Sequence, residues 1–278
     1  MSYEERKEIE NALMDALKSG LDVLRSGTAL DAVEEAVKTM EASGLFNAGK
    51  GAVVNLKGEI ELDAGIMWGK TLSAGAVAAQ KYTWNAISLA RIVMEKTDHV
   101  LIVGEGADFL AKKFNLEPHP GPTRRVLERY NEYKTQVNEK RFELWKNNYE
   151  VKDLYAGDTV GAVAFDSEGN LAAATSTGGL FLKLPGRVGD SPIPGAGLYA
   201  ENGVVAVSAT GVGEVMMKLS LASRIDEIVS LASKLFGANT VGIIAIDAQG
   251  NYAENTNAEV FFRGWASPSE GLLRAPSK

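Results

Sequence analysis

The chain has no cysteine and only two histidines, His99 and His119. The first absence excludes disulfide frameworks, thiolate zinc sites and cysteine nucleophiles, and the second makes a histidine-rich metal centre a poor expectation. Basic charge is also scarce: 29 Lys and Arg stand against 36 Asp and Glu, for a net charge of −7 over 278 residues. A surface of that sign repels phosphate backbones and anionic bilayers, which turns the expectation towards a small-molecule ligand. No stretch approaches the roughly eighteen consecutive apolar residues of a membrane span. The opening Met1-Ser2-Tyr3-Glu4-Glu5-Arg6-Lys7 reads as the charged start of a helix, not a secretory leader. These absences predict an intracellular, cytoplasmic protein.

What is present is an ordinary globular composition, 45% hydrophobic and 23% charged, sufficient for a sizeable core. Ile9, Leu13, Leu17, Leu21 and Leu24 recur at helical spacing and predict an amphipathic helix ending near Gly27. Thr28 with Asp31 three residues on predicts the cap of a second helix, with Leu30, Val33, Val37 and Met40 as its buried stripe and Gly44 as its end. Alternation over Glu59–Asp63 predicts a hairpin turning near Lys57-Gly58. Residues 72–79 are too dense in Gly and Ala to assign by periodicity and could form a buried strand against which another backbone packs; 85–96 read as a helix and 100–103 as a short buried strand. Residues 115–157, rich in proline and then in charge, read as an exposed helix leading into a mobile linker.

The chain also repeats itself: TVGAVAFDSEGN from Thr159 is echoed by TVGIIAIDAQGN from Thr240. Each copy is an apolar strand running into a turn bracketed by Asp and Gly-Asn, which predicts two similar hairpins.

Candidate chemistry follows by elimination. Neither histidine lies near a strained Gly-x-Ser-x-Gly elbow, so a serine triad has no base. A threonine activated by an N-terminal amine needs no histidine, because an α-amine with a pKa of about 8 accepts a proton near neutrality. Thr159 suits that role if the chain opens at Asp158-Thr159, although Thr240 is its near-equivalent locally and either could simply start a strand. Three further clusters fit such a site. Thr175-Ser176-Thr177-Gly178-Gly179 gathers hydroxyls at a strand end. Arg187 and Asp190 share a Gly/Pro-shaped loop, where they could hold the carboxylate and ammonium of an amino acid or simply pair with each other. Thr210-Gly211-Val212-Gly213-Glu214 joins a strand to a helix, and its amides could form an oxyanion hole. The third glycine of a dinucleotide fingerprint is missing there.

In order, GDTVGAVAFD, TSTGG, GRVGDSPIPGAG and SATGVGE, preceded by LFNAGKGAV, ELDAGIM, LSAGAVAA and HVLIVGEGA, resemble the plant-type L-asparaginase and isoaspartyl aminopeptidase family, with glycosylasparaginases as more distant kin. The resemblance spans roughly residues 8–260. It implies an α/β chain folded as the four-layer αββα sandwich of N-terminal nucleophile hydrolases. This would be one domain over 1–278, made as a precursor and cut into an α-subunit (1–158) and a β-subunit (159–278). By positional match, Thr159 is the nucleophile and, through its new amine, the base. Thr177 supports it, Arg187 binds the substrate α-carboxylate and Asp190 its α-ammonium. Thr210 and Gly211 stabilise the oxyanion, Gly213 lines the pocket and Asn47 approaches from the α-subunit.

The implied reaction is hydrolysis of the side-chain amide of L-asparagine or of β-aspartyl dipeptides. The implied assembly is a dimer of processed units. The resemblance suggests a structural sodium ion in the Glu41–Phe46 loop, but no catalytic metal or organic cofactor. The sequence differs from the family pattern in opening directly with a helix, where relatives carry a strand ending in His-Gly-Gly-Ala-Gly, and in a shorter stretch after Glu214. The competing expectation is an uncut, non-catalytic homologue that keeps the fold and binds an amino acid.

Overall fold

The structure is a computed structural model that describes residues 2–136, 159–223, 241–258, 260–267 and 271–274. Helix α1 (Tyr3–Leu24) starts at a Ser2 capping box closed by Glu5, and α2 (Ala29–Ser43) at the expected Thr28–Asp31 capping box. Each box satisfies two backbone groups that a helix start leaves open. Gly44 ends α2 in the left-handed conformation (φ 72°) that glycine adopts without strain. The leucine stripe predicted for α1 is only partly its buried face. The helices meet at Gly20, where a Cβ would lie 3.2 Å from both the Ala32 carbonyl and the Ala36 side chain.

Two sheets stand face to face. The first contains β1 (Leu62–Trp68), β2 (Ser73–Gln80), β3 (Leu101–Val103), β4 (Val160–Phe165) and β5 (Leu171–Thr177), in the order β3-β2-β1-β5-β4. The second contains β6 (Leu198–Glu201), β7 (Val205–Gly211), β8 (Val241–Asp247) and β9 (Tyr252–Thr256), in that order. A separate hairpin pairs β10 (Gly264–Ser267) with β11 (Gly271–Arg274).

Strand alternation sorts the apolar side chains into three layers. Ala172 and Ala174 of β5 join α2 and α3 (Ala86–Lys96) in the largest cluster. Leu171 and Ala173 face Leu198, Ala200 and Ala206 across the inter-sheet gap. Val207, Ala209, Val241 and Ile243 pack beneath α6 (Gly213–Leu219). Helix, sheet, sheet, helix is the expected four-layer sandwich.

Several local expectations change. The turn at Lys57-Gly58 exists, but a single bridge between Val54 and Ile60 closes it, and the strand proper begins at Leu62. The short strand β3 lies at the sheet edge with Leu101 and Val103 exposed; three apolar residues in a row do not distinguish edge from centre. The strand that residues 72–79 could form is β2, and α3 lies so close that a Cβ on Gly75 would collide with the Ala90 carbonyl. The helix α4 (Glu105–Lys113) follows β3. In the charged segment, α5 (Arg124–Gln136) buries Val126 and Tyr130, and Tyr133 meets Phe181 edge-on. Residues 137–158 and the segment 224–240, which includes Thr240, lie outside the described residues. No helix among the described residues is long and apolar enough to cross a membrane.

The two echoed segments form the hairpins β4-β5 and β8-β9, one in each sheet. Asp166 and Asp247 each accept backbone N–H bonds from the residues two and four positions on. Asp166 additionally accepts the Ala29 N–H at 3.0 Å, tying the first hairpin to the start of α2.

Candidate active site

The pairing register brings the site together. Val160 pairs with Ser176 across β4-β5, so Thr159, one residue earlier, comes opposite Thr177. Thr177 pairs in turn with Asp63 of β1. Alternation places Thr177 on the inter-sheet face with Ala173 and Leu171, whereas Ser176 points to the helices and donates to Glu41 Oε1 at 2.5 Å. Thr159 shares the inter-sheet side with Gly161, where a Cβ would strike Ser208 Oγ of β7. This end of the inter-sheet gap opens into a pocket lined by Thr159, Thr177, Arg187, Asp190, Gly211 and Gly213, completed by Gly179, Leu180, Gly189 and Ser191.

Six of the sequence-predicted residues therefore converge. Thr210 precedes Gly211 on β7 and does not itself line the pocket. Asn47 acts one step behind the wall: its Nδ2 donates to the Gly179 carbonyl at 2.7 Å and its Oδ1 accepts the Val53 N–H at 2.9 Å. Thr177 Oγ1 accepts the Gly179 N–H at 3.0 Å, so the Gly178-Gly179 turn is held from both sides. Gly179 has φ +77°, where a side chain would be strained. Asp158 lies outside the described residues.

The charges differ from the simplest expectation. Arg187 does not pair with Asp190: its Nε and Nη2 donate to Glu214 Oε1 and Oε2 at 2.9 and 2.8 Å. Asp190 is buried, and its Oδ2 has no hydrogen-bond partner among the described residues. Burial pushes its carboxyl up to about 7, with the charges of Glu214 and Asp63 adding to the rise and Arg187 opposing it. A buried carboxylate with one oxygen left without a partner is suited to a cationic ligand group.

Beneath the pocket lies a second charge pair that the sequence reading missed. Lys183 is 1% exposed and Asp63 0%, with Nζ 3.8 Å from Oδ2. Lys183 donates instead to the Glu61 carbonyl at 3.2 Å, and Asp63 Oδ1 accepts the Ala79 N–H at 2.7 Å. Burial drives both towards their neutral forms: the Asp63 carboxyl is raised and the Lys183 amine lowered, each opposed by the other's charge. A Cβ on Gly179 would lie 2.9 Å from Lys183 Nζ, which puts the ammonium directly behind the pocket wall.

A family model described as Asparaginase matches residues 1–271. The chain is 48% identical to a plant-type L-asparaginase of Pyrobaculum calidifontis, over 97% of this chain and 94% of that protein. It is 41% identical to an isoaspartyl peptidase of Salmonella typhimurium, over 99% and 94%. An isoaspartyl peptidase/L-asparaginase of Rattus norvegicus matches at 41%, over 97% and 83%.

Proposed function

The chain belongs to the asparaginase family that also holds the isoaspartyl peptidases, and from that premise we propose that it hydrolyses the side-chain amide of L-asparagine, of β-aspartyl dipeptides, or of both, releasing L-aspartate. The observation that carries the reading is the convergence of two hydroxyls, Thr159 and Thr177, with an arginine and an unpaired buried carboxylate in one pocket. Opposite charges at Arg187 and Asp190 suit the α-carboxylate and α-ammonium of a free amino-acid end. The bond left beside the hydroxyls is then the side-chain amide.

In this reading Thr159 acts twice. Its Oγ1 attacks the carbonyl carbon of Asp158, the peptide nitrogen leaves as the Thr159 amine, and water hydrolyses the resulting ester to separate 1–158 from 159–278. The freed amine then takes the proton of the same hydroxyl as it attacks the substrate amide. Gly211, which lines the pocket, stabilises the oxyanion with Thr210 behind it on β7, and the amine returns the proton to the leaving nitrogen. Water hydrolyses the acyl ester and L-aspartate departs. Thr177 orients the nucleophile from the neighbouring strand, and Asn47 fixes the turn opposite.

The main-chain oxygens of Gly44 and Phe46 crowd around Gly51, where a Cβ would strike both. Clustered carbonyl oxygens suit a hard cation such as sodium, and in this reading such an ion would brace the loop that carries Asn47.

The test is intact mass on fresh and incubated protein, beside ammonia and aspartate release from L-asparagine and a β-aspartyl dipeptide. Two fragments and turnover in the wild type, both lost in Thr159→Ala, are expected. An intact, inactive wild type would overturn the reading in favour of a non-catalytic amino-acid binder.

A further inference from the structure

Asp63, Thr177 and Thr159 stand in one row across the first sheet. Asp63 of β1 pairs directly with Thr177, and Thr159 comes opposite Thr177 one step before the Val160–Ser176 pair. Directly paired residues share a face, and the row of Met67, Ala173 and Val163 further along the same strands shows that this face is the inter-sheet one. Asp63 and Thr159 are two strand spacings, or about 10 Å, apart. Lys183 is the counter-charge of Asp63, 3.8 Å away, and its ammonium lies against Gly179, whose N–H is bonded to Thr177 Oγ1. The fold brings this pair together through strained backbone. Lys183 follows Leu182, which has φ +59°, and Asp63 accepts from Ala79, which has φ +50°; neither side chain suits the left-handed region. A buried ion pair is also no better for stability than an apolar pair of the same volume, so packing explains neither the strain nor the buried charge.

We propose that Lys183 is a positioning residue that acts by charge: it cancels the field of Asp63 along this row, so that the Thr159 amine can serve as a free base near neutral pH. The inference rests on the proposed function in taking that amine as the base. A unit charge about 10 Å away, at an effective dielectric of about 20, moves a neighbouring titration by about one pH unit. An amine with an ordinary value of about 8 that faced Asp63 alone would hold its proton to about pH 9.

The remaining charges around the pair are Glu61 and Arg187, with Lys81 beside Glu61 and with Asp190 and Glu214 beside Arg187. Strands β4, β5 and β7 face the row with hydroxyls and carry no charged side chain. Removing one member of the pair therefore changes the charge that the amine meets, and the sign depends on which member goes.

The experiment is the pH profile of kcat, from pH 6 to 10, at saturation with the better of L-asparagine and a β-aspartyl dipeptide. It uses self-cleaved wild type, Lys183→Met, Asp63→Asn and the double variant, with intact mass to confirm the two fragments and thermal melts to confirm the fold. Lys183→Met is expected to move the acidic limb up by about one unit, so that kcat falls about tenfold at pH 7 and meets the wild type again by pH 10. Asp63→Asn is expected to move the limb down, and the double variant to return it close to the wild type. A merely structural role lowers kcat by one factor at every pH and shifts no limb. Each variant carries its own sign, so any one that folds and cleaves itself decides. Unmoved limbs, or limbs that move the same way in both single variants, overturn the proposal alone. Failure of all three variants to cleave overturns it too, because the pair then serves maturation or the fold and not the base. A wild type that stays intact or hydrolyses neither substrate overturns the catalytic reading, and the inference with it.

Discussion

Removing the Lys183 ammonium tests whether the charge pair beneath the pocket holds the fold together or merely tolerates its own burial. Lys183→Met keeps the stem's volume and leaves the Asp63 carboxylate with backbone donors alone, the Ala79 and Gly189 N–H groups, in a setting without solvent access. Breaking one side of a buried pair costs about 3–5 kcal/mol, because the surviving charge is uncompensated. For a chain of this size each kcal/mol lowers Tm by roughly 2–4 °C, so a fall of about 10 °C is expected.

The double variant Asp63→Asn/Lys183→Met removes both desolvation costs and is expected to recover most of the loss. The assay is thermal and urea unfolding in a Thr159→Ala background, where one intact chain unfolds. The sign with pH is fixed as well. The Asp63 carboxyl sits above its unfolded value, so the stability it contributes is present at low pH and is lost as pH rises through the folded value. With its cation gone, the single variant gains on the wild type as pH is lowered from 8 to 5. A single-variant cost below about 1 kcal/mol, or a double variant that merely sums two large losses, would refute this reasoning.

Further outcomes follow from other sites. Burial pushes the Glu41 carboxyl up to about 8, so its stability contribution fades as pH rises from about 4.5 to 8, and Glu41→Gln is expected to flatten that slope in melts across the range. Asp190 must be ionised to hold an ammonium, so KM for L-asparagine is expected to rise below pH 7, approaching tenfold per unit, with the loss concentrated in KM. Asn47→Ala leaves the buried Val53 N–H and Gly179 carbonyl without their partner; about 2–3 kcal/mol of stability is expected to go, read by urea unfolding, together with a drop in turnover. Gly75→Ala drives a methyl into the Ala90 carbonyl, and a loss of about 3 kcal/mol or failure to accumulate folded protein is expected.

Local chemistry was legible in the sequence where it was written in neighbouring residues. Thr28 with Asp31, Gly44, the Asp-to-Asn turns and the TSTGG strand end all depend on contacts within a few positions, and the structure has them as expected. The resemblance supplied the layer order. Contacts across the sequence were not legible. Glu214 is 27 positions from Arg187, and nothing in GVGE marks its carboxylate as an arginine partner. Nothing in the sequence marks Lys183 or Glu41 as buried, since lysine and glutamate are usually solvated; their burial follows from how strands and helices stack. Thr159 and Thr240 open nearly identical segments, yet Thr159 stands opposite Thr177 because β4 pairs with β5 in the sheet that also carries Asp63. The edge position of β3 is likewise a property of the sheet, not of its three residues.

The strand order of the first sheet bears on what a break before Thr159 would do to the molecule. Three strands come from the residues before the break and two from those after it, and β1 and β5 are joined along six residue pairs at the seam. The Asp166 carboxylate also clasps the start of α2 across the same divide. Because Thr159 precedes an edge strand, the break severs no rung of the ladder. Its effect on stability would appear on unfolding: the intact chain melts as one body, whereas the broken one must come apart into two. Its melting temperature would then fall on dilution, and its recovery would depend on two fragments meeting again.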